Sequence, residues 1–92
     1  MIETIYDEYL VVDRQRKHGG IQKIYKFENG RGASVISGPY SYGGEKGLYE
    51  LAVLDENGNL DYTTPITDDV VGWLKWEEVI ELLRQIKELE NE

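Results

Sequence analysis

Two Asn-Gly dipeptides, Asn29-Gly30 and Asn57-Gly58, constrain this chain more than any other feature. Asn-Gly between β-rich runs is the strongest short-range hairpin signal, because a two-residue turn needs φ > 0 at both positions. The first dipeptide separates Ile21–Phe27 (IQKIYKF) from Arg31–Ser37 (RGASVIS). A two-residue turn there sets Ile24 against Val35 and Lys26 against Ala33, with Tyr25, Phe27, Ser34 and Gly32 on the other face. The second dipeptide separates LYELAVLDE from NLDYTT, and the same rule sets Val53 against Tyr62 and Leu51 against Thr64. Leu54 and Ala52 then face the opposite way, as in a central strand covered at least in part on both sides. Pro65 cannot donate to a ladder and marks the end of that strand.

The flanking elements complete the expectation. Tyr9–Asp13 (YLVVD) reads as another strand, reaching Ile21 through a turn at His18-Gly19-Gly20. Residues 2–10 also fit a helical spacing; strand is preferred over 8–15. From Lys75 to Glu90 the apolar residues Trp76, Val79, Ile80, Leu82, Leu83, Ile86 and Leu89 cover about half a helical wheel, wider than a minimal surface stripe. The sequence therefore predicts a single α+β domain over 1–92. An N-terminal segment (1–7) precedes a small antiparallel sheet of about four to five strands (8–66), packed against one C-terminal helix (75–90).

Charge is unevenly spread. The net charge is −8. Residues 1–31 hold five acids and six bases, whereas residues 32–92 hold thirteen acids and four bases. Arg14, Arg16, Lys17, Lys23 and Lys26 form a basic hairpin uninterrupted by acids, and Asp68, Asp69, Glu77, Glu81 and Glu88 an acidic surface. The basic set would reach only a few phosphates while the acidic remainder repels them, which argues against a nucleic-acid partner. A solvated hairpin is the preferred reading, and the stretch could also meet the acidic body of another copy. Leu82 and Leu89, at the edge of the helix stripe, offer a self-association surface for a homodimer or higher oligomer.

Catalytic and metal chemistry find little footing. The chain has one His and no Cys. His18 sits among positive charges that disfavour its protonated form, and no Ser lies in a nucleophile elbow. Thr67-Asp68-Asp69 with Asp61 lacks the oxygen count and spacing of a Ca²⁺ loop. Glu77, Glu81 and Glu88 share a face with Arg84 as a solvated ion-paired surface. No enzyme activity, metal or cofactor is expected. The absence of Cys fits a reducing compartment. No apolar run approaches the roughly 20 residues of a membrane helix, and the acidic N-terminus lacks the positive charge of a signal peptide. A cytoplasmic protein without membrane contact is the expectation.

The segment Ser37–Gly47 (SGPYSYGGEKG) is the strongest binding candidate. It joins neighbouring strands with about ten residues where two to five suffice, and long loops in compact domains carry function. Tyr40 and Tyr42 are aromatic anchors, Gly43 and Gly44 permit close backbone approach, and Lys46 adds a cation. The Gly-Lys-Ser/Thr ending of a P-loop is missing.

The run NGRGASVISGPYSYGGEKGLYELAVLDENGNLDYTTPITDDVVGWL, Asn29 to Leu74, resembles a group of short proteins encoded by phages and prophages. The shared order is a Gly-Ala-Ser-Val strand, a Tyr-Gly-Gly loop, a Leu-Tyr-Glu-Leu-Ala-Val-Leu strand with an Asn-Gly turn, then Thr-Pro-Ile-Thr-Asp-Asp-Val and an acidic helix. The match covers about half the chain and omits the first 28 residues. It implies a genetic context and no particular chemistry. Small phage proteins of this size often bind and inhibit a host protein, so a non-enzymatic host-binding protein is the leading expectation, with counter-defence or acidic nucleic-acid mimicry as variants. An oligomeric nucleotide-sequestering protein and a virion assembly accessory are the alternatives.

Overall fold

A computed structural model describes residues 6–15, 19–38, 47–61 and 70–89. It contains a 3₁₀ turn (Asp7–Tyr9), strands β1 (Leu10–Gln15), β2 (Ile21–Lys26), β3 (Gly32–Ser37), β4 (Tyr49–Leu54) and β5 (Val71–Leu74), and helix α1 (Trp76–Lys87). The strands form one five-stranded antiparallel sheet in the order β1-β2-β3-β4-β5, and α1 packs on one face. The α+β class and C-terminal helix are as the sequence indicates. Strand β1 begins at Leu10, after the 3₁₀ turn. Residues 1–5 lie outside the described set.

The register of the first hairpin differs from expectation by one residue. Tyr25 pairs with Ala33, Lys23 with Val35 and Ile24 with Ser34, where the two-residue turn set Ile24 against Val35 and Lys26 against Ala33. The cause is the turn. Phe27 N–H donates to the Arg31 carbonyl (2.8 Å) and Gly30 N–H to the Phe27 carbonyl (3.1 Å), enclosing a three-residue loop, Glu28-Asn29-Gly30. Gly30 alone has positive φ (88°), so this is the three-residue hairpin with a left-handed glycine rather than the turn that needs both positions left-handed. One residue of slip exchanges the faces of a strand. Tyr25, Phe27, Ala33 and Val35 accordingly share the core, while Ile24 and Ser34 face the other way.

The second Asn-Gly turn repeats the geometry. Asp55 N–H donates to the Asn59 carbonyl (2.7 Å) and Gly58 N–H to the Asp55 carbonyl (3.0 Å) around Glu56-Asn57-Gly58, with Gly58 at φ 83°. Leu54 bridges Leu60, again one residue from the expected register. Tyr62, Thr64 and Pro65 lie outside the described residues. The ladder partners of β4 are β3 and β5. Strand β5, four residues interrupted by Gly72, carries too short a pattern to stand out in the sequence. Ala52 and Leu54 are buried on the face away from α1 while Leu51 and Val53 are buried beneath it, so β4 is a central strand with both faces largely covered.

Helix α1 places Val79, Leu83 and Ile86 fully inside, against Val35, Leu51, Val53 and Leu74. Burying each such side chain contributes about 1.5–3 kcal/mol. At its start, Lys75 N–H donates to the Glu78 carboxylate (3.0 Å), satisfying one orphan donor. Its other end is closed from a distance. Asn29 Nδ2 donates to the carbonyls of Ile86 (2.8 Å), Lys87 (3.1 Å) and Leu89 (3.0 Å), and Asn29 Oδ1 accepts from Arg31 N–H (3.0 Å). Three acceptors on one side and a donor on the other fix the orientation of this amide. An aromatic group, Tyr6, Tyr9 and Tyr25 around Phe27, fills the corner beside that clasp.

Candidate binding surface

Antiparallel connectivity sorts the connections between the two ends of the sheet. The clasped Glu-Asn-Gly turns occupy one end. At the other, Gln15 faces Ile21, Ile21 faces Ser37, and Tyr49 faces Leu74. The chain therefore leaves and rejoins the sheet there for the turn after β1, for the long connection between β3 and β4, and for the link into α1. The bases of the first two touch. A Cβ on Gly20, whose φ is 88°, would lie 2.1 Å from the Ser37 carbonyl oxygen and 2.7 Å from Gly38 Cα. Ser37 Oγ donates to the Leu48 carbonyl (2.8 Å), closing the base of the long connection. The basic turn and the tyrosine loop, about 20 residues apart in sequence, thus share an anchor. Arg16, Lys17, His18, Tyr40, Tyr42, Gly43, Gly44 and Lys46 themselves lie outside the described residues.

The same end carries a residue that sequence reasoning missed. Between Leu51, which faces Val71, and Tyr49, which faces Leu74, β5 has one residue more than β4. Trp73 lies in that bulge at φ 60°, the one described non-glycine residue with positive φ. A bulky side chain in this region is strained, at a cost of about 1–3 kcal/mol. The strain is not offset by full burial, since Trp73 is 54 % exposed. Beside it Tyr49 and Trp76 rings pack at 5.0 Å, tilted by 52°. The only signal in the sequence is Gly72-Trp73 within a short apolar run, which does not distinguish an exposed bulge from a core position.

The sheet face away from α1 is a secondary feature. Two shallow grooves of about 190 Å³ each indent it, one lined by Ile24, Lys26, Leu54 and Asn57 and the other by Gln22, Ile36, Glu50 and Leu60. Val11 (61 %) and Leu60 (46 %) are exposed beside them.

The charged residues singled out in the sequence are dispersed. Arg14 is exposed and donates to Gln22 Oε1 (3.0 and 2.6 Å), and Lys26 is exposed on β2. Lys23 does not join them. Only 5 % exposed, it lies on the core face and pairs with Asp13 Oδ2 at 3.2 Å. The one-residue register slip put it there. Glu77, Glu81 and Glu88 line the outer side of α1, where Arg84 bridges Glu81 (2.6 Å) and Glu88 (2.7 Å). Hydrogen bonding from Arg84 lowers the Glu81 carboxyl to about 2. Asp61 is engaged by the Arg31 guanidinium. Asp68 and Asp69 lie outside the described residues. Leu82 is half-buried against the core, and Leu89 is half-buried with its carbonyl held by Asn29.

Among the described residues no three His, Cys, Asp or Glu side chains are grouped to hold a metal ion, and no helix is long and apolar enough to cross a membrane. Neither a protein-family model, nor a curated protein, nor a solved structure matches this chain.

Proposed function

We propose that this is a small phage-encoded, non-enzymatic binding protein that inhibits or modulates a host protein in the bacterial cytoplasm. Its contact surface is the sheet end that carries Trp73 and the base of the tyrosine loop. The observation that carries this reading is Trp73, half-exposed and at positive φ in an edge-strand bulge. Strained backbone persists where the surroundings over-determine it and clusters at functional sites, and Trp is the residue most enriched among binding hot spots. Bulges in edge strands commonly re-aim a side chain in this way. Arg84 between Glu81 and Glu88 leaves the helix with less unpaired negative charge than its composition suggests, which ranks nucleic-acid mimicry below direct protein contact.

The test is retention of a host protein from lysate on immobilised wild type, compared with Trp73→Ala and with Tyr40→Ala combined with Tyr42→Ala. Glu77→Gln serves as a control, and thermal unfolding verifies each fold. A protein held by wild type and the control but released about tenfold or more by Trp73→Ala supports the reading, since truncating a hot-spot residue costs about 2 kcal/mol or more. Equal retention by all variants, or no retained protein, removes it.

The contact between Gly20 and the Ser37-Gly38 backbone favours a second reading, a nucleotide-sequestering protein binding between the basic turn and the glycine-rich loop. It requires a thermal shift with anionic nucleotides that Arg16→Ala or Lys46→Ala abolishes. A nucleotide panel without any shift rejects it.

A further inference from the structure

The two Glu-Asn-Gly turns form an internal comparison. Their backbone frames match: each glycine N–H donates to the carbonyl three residues earlier (3.1 Å at Gly30, 3.0 Å at Gly58), and each glycine has φ near 85° (88° and 83°). Their asparagine side chains differ. The Asn29 amide is half-buried and held at both ends by Ile86, Lys87, Leu89 and Arg31. Asn57 is exposed, and among the described residues its side chain has no hydrogen-bond partner. Its backbone N–H alone is held, by Asp55 Oδ1 at 2.8 Å.

We infer that Asn57-Gly58 is a site of spontaneous deamidation, and that the clasp on the α1 terminus shields Asn29-Gly30 from the same reaction. In this reaction the backbone nitrogen of the following glycine attacks the asparagine Cγ. A bond forms between that nitrogen and Cγ, the bond from Cγ to Nδ2 breaks, and the amide departs as ammonia, taking up the proton lost by the backbone nitrogen. Solvent water then opens the succinimide at either carbonyl, giving aspartate or isoaspartate. No electrons are transferred. Glycine on the far side presents no Cβ to obstruct the attack, which is why this dipeptide is susceptible at all. For Asn29, rotation of Cγ toward Gly30 must first break every bond of the clasp. For Asn57, exposed at the turn, no side-chain hydrogen bond among the described residues has to break first. Conversion places a further carboxylate beside Asp55 and Glu56, at the lip of the groove lined by Ile24, Lys26 and Leu54.

The experiment is peptide mapping by mass spectrometry after incubation in mildly alkaline buffer, on the folded full chain and on the chain in concentrated urea. In the folded protein Asn57 converts at least about a hundredfold faster than Asn29, as expected when several hydrogen bonds must open before attack. In urea the two rates converge to within about threefold, because both sites are Glu-Asn-Gly and the clasp is gone. Equal rates in the folded protein overturn the shielding, and so does a persistent difference in urea, which would trace it to sequence context. An Asn57 that stays intact in the folded protein overturns the site.

Discussion

At the residue scale, Asn29 does the work of a helix cap from a position 57 to 60 residues away. Asn29→Ala is expected to destabilise the protein by about 2–3 kcal/mol, since several buried carbonyls lose a donor together. Asn29→Asp is worse, because a carboxylate faces the negative end of the helix dipole. Asn57→Ala stays within about 0.5 kcal/mol of wild type. Urea unfolding of the three variants measures the contrast. The Glu81 carboxyl, held at about 2 by Arg84, gives a second expectation at this scale. Its folded value lies below the unfolded one, so its contribution to stability is present above the unfolded value of 4.5 and fades as pH falls toward 2. The pair is exposed, so that contribution is small and weakens with salt. Side-chain NMR titration should find Glu81 low in wild type and back near its ordinary range in Arg84→Gln.

At the scale of elements, the turns decide which faces meet. Asn-Gly announced both hairpins, and apolar spacing announced α1 and its buried Val79, Leu83 and Ile86. Loop length was not legible, because Asn-Gly serves two-residue and three-residue turns alike. The difference appears only when Tyr25, Phe27 and Ala33 must reach the core together. The end of the sheet was legible as two separate segments, a basic turn and a long loop. Their shared base was not, since Gly20 and Gly38 meet through pairing that no local pattern encodes. The left-handed glycines supply the check. Gly20→Ala meets the Ser37 carbonyl in addition to an unfavourable φ and is expected to cost well over 2 kcal/mol. Gly47→Ala, at φ 74° with nothing within 4 Å of the new methyl, incurs only the conformational penalty of about 1–2 kcal/mol. A difference in Tm between these two variants isolates the close approach from the dihedral strain they share.

Across the whole molecule, the clasped end and the proposed contact surface lie at opposite ends of the sheet. One end is clasped, aromatic and ion-paired, with Asn29, Phe27 and Arg31–Asp61. The other is glycine-rich at its base and carries a strained, half-exposed Trp73. Trp73→Gly relieves the positive φ, so its stability is expected to fall within about 1 kcal/mol of wild type, while partner retention is lost. A combined loss of fold and binding would instead make Trp73 a structural residue. The basic share of residues 1–31 is also reduced in three dimensions, because Lys23 is turned inward onto Asp13. Composition could not show this, since burial of one lysine among five depends on a single step of register.

The clasp also orders events in time. Its two halves lie at opposite ends of the loop that folding must close, with Asn29 in a hairpin whose strands are adjacent in sequence and its acceptors in the last helix. Closing the short hairpin carries a small entropic cost, and closing the long connection a larger one. The β2–β3 hairpin is therefore expected to form ahead of helix docking, with the Asn29 amide engaged only on docking. Slowing of refolding by Asn29→Ala would place the clasp in the folding nucleus; faster unfolding with an unchanged refolding rate marks it as the latch that closes last.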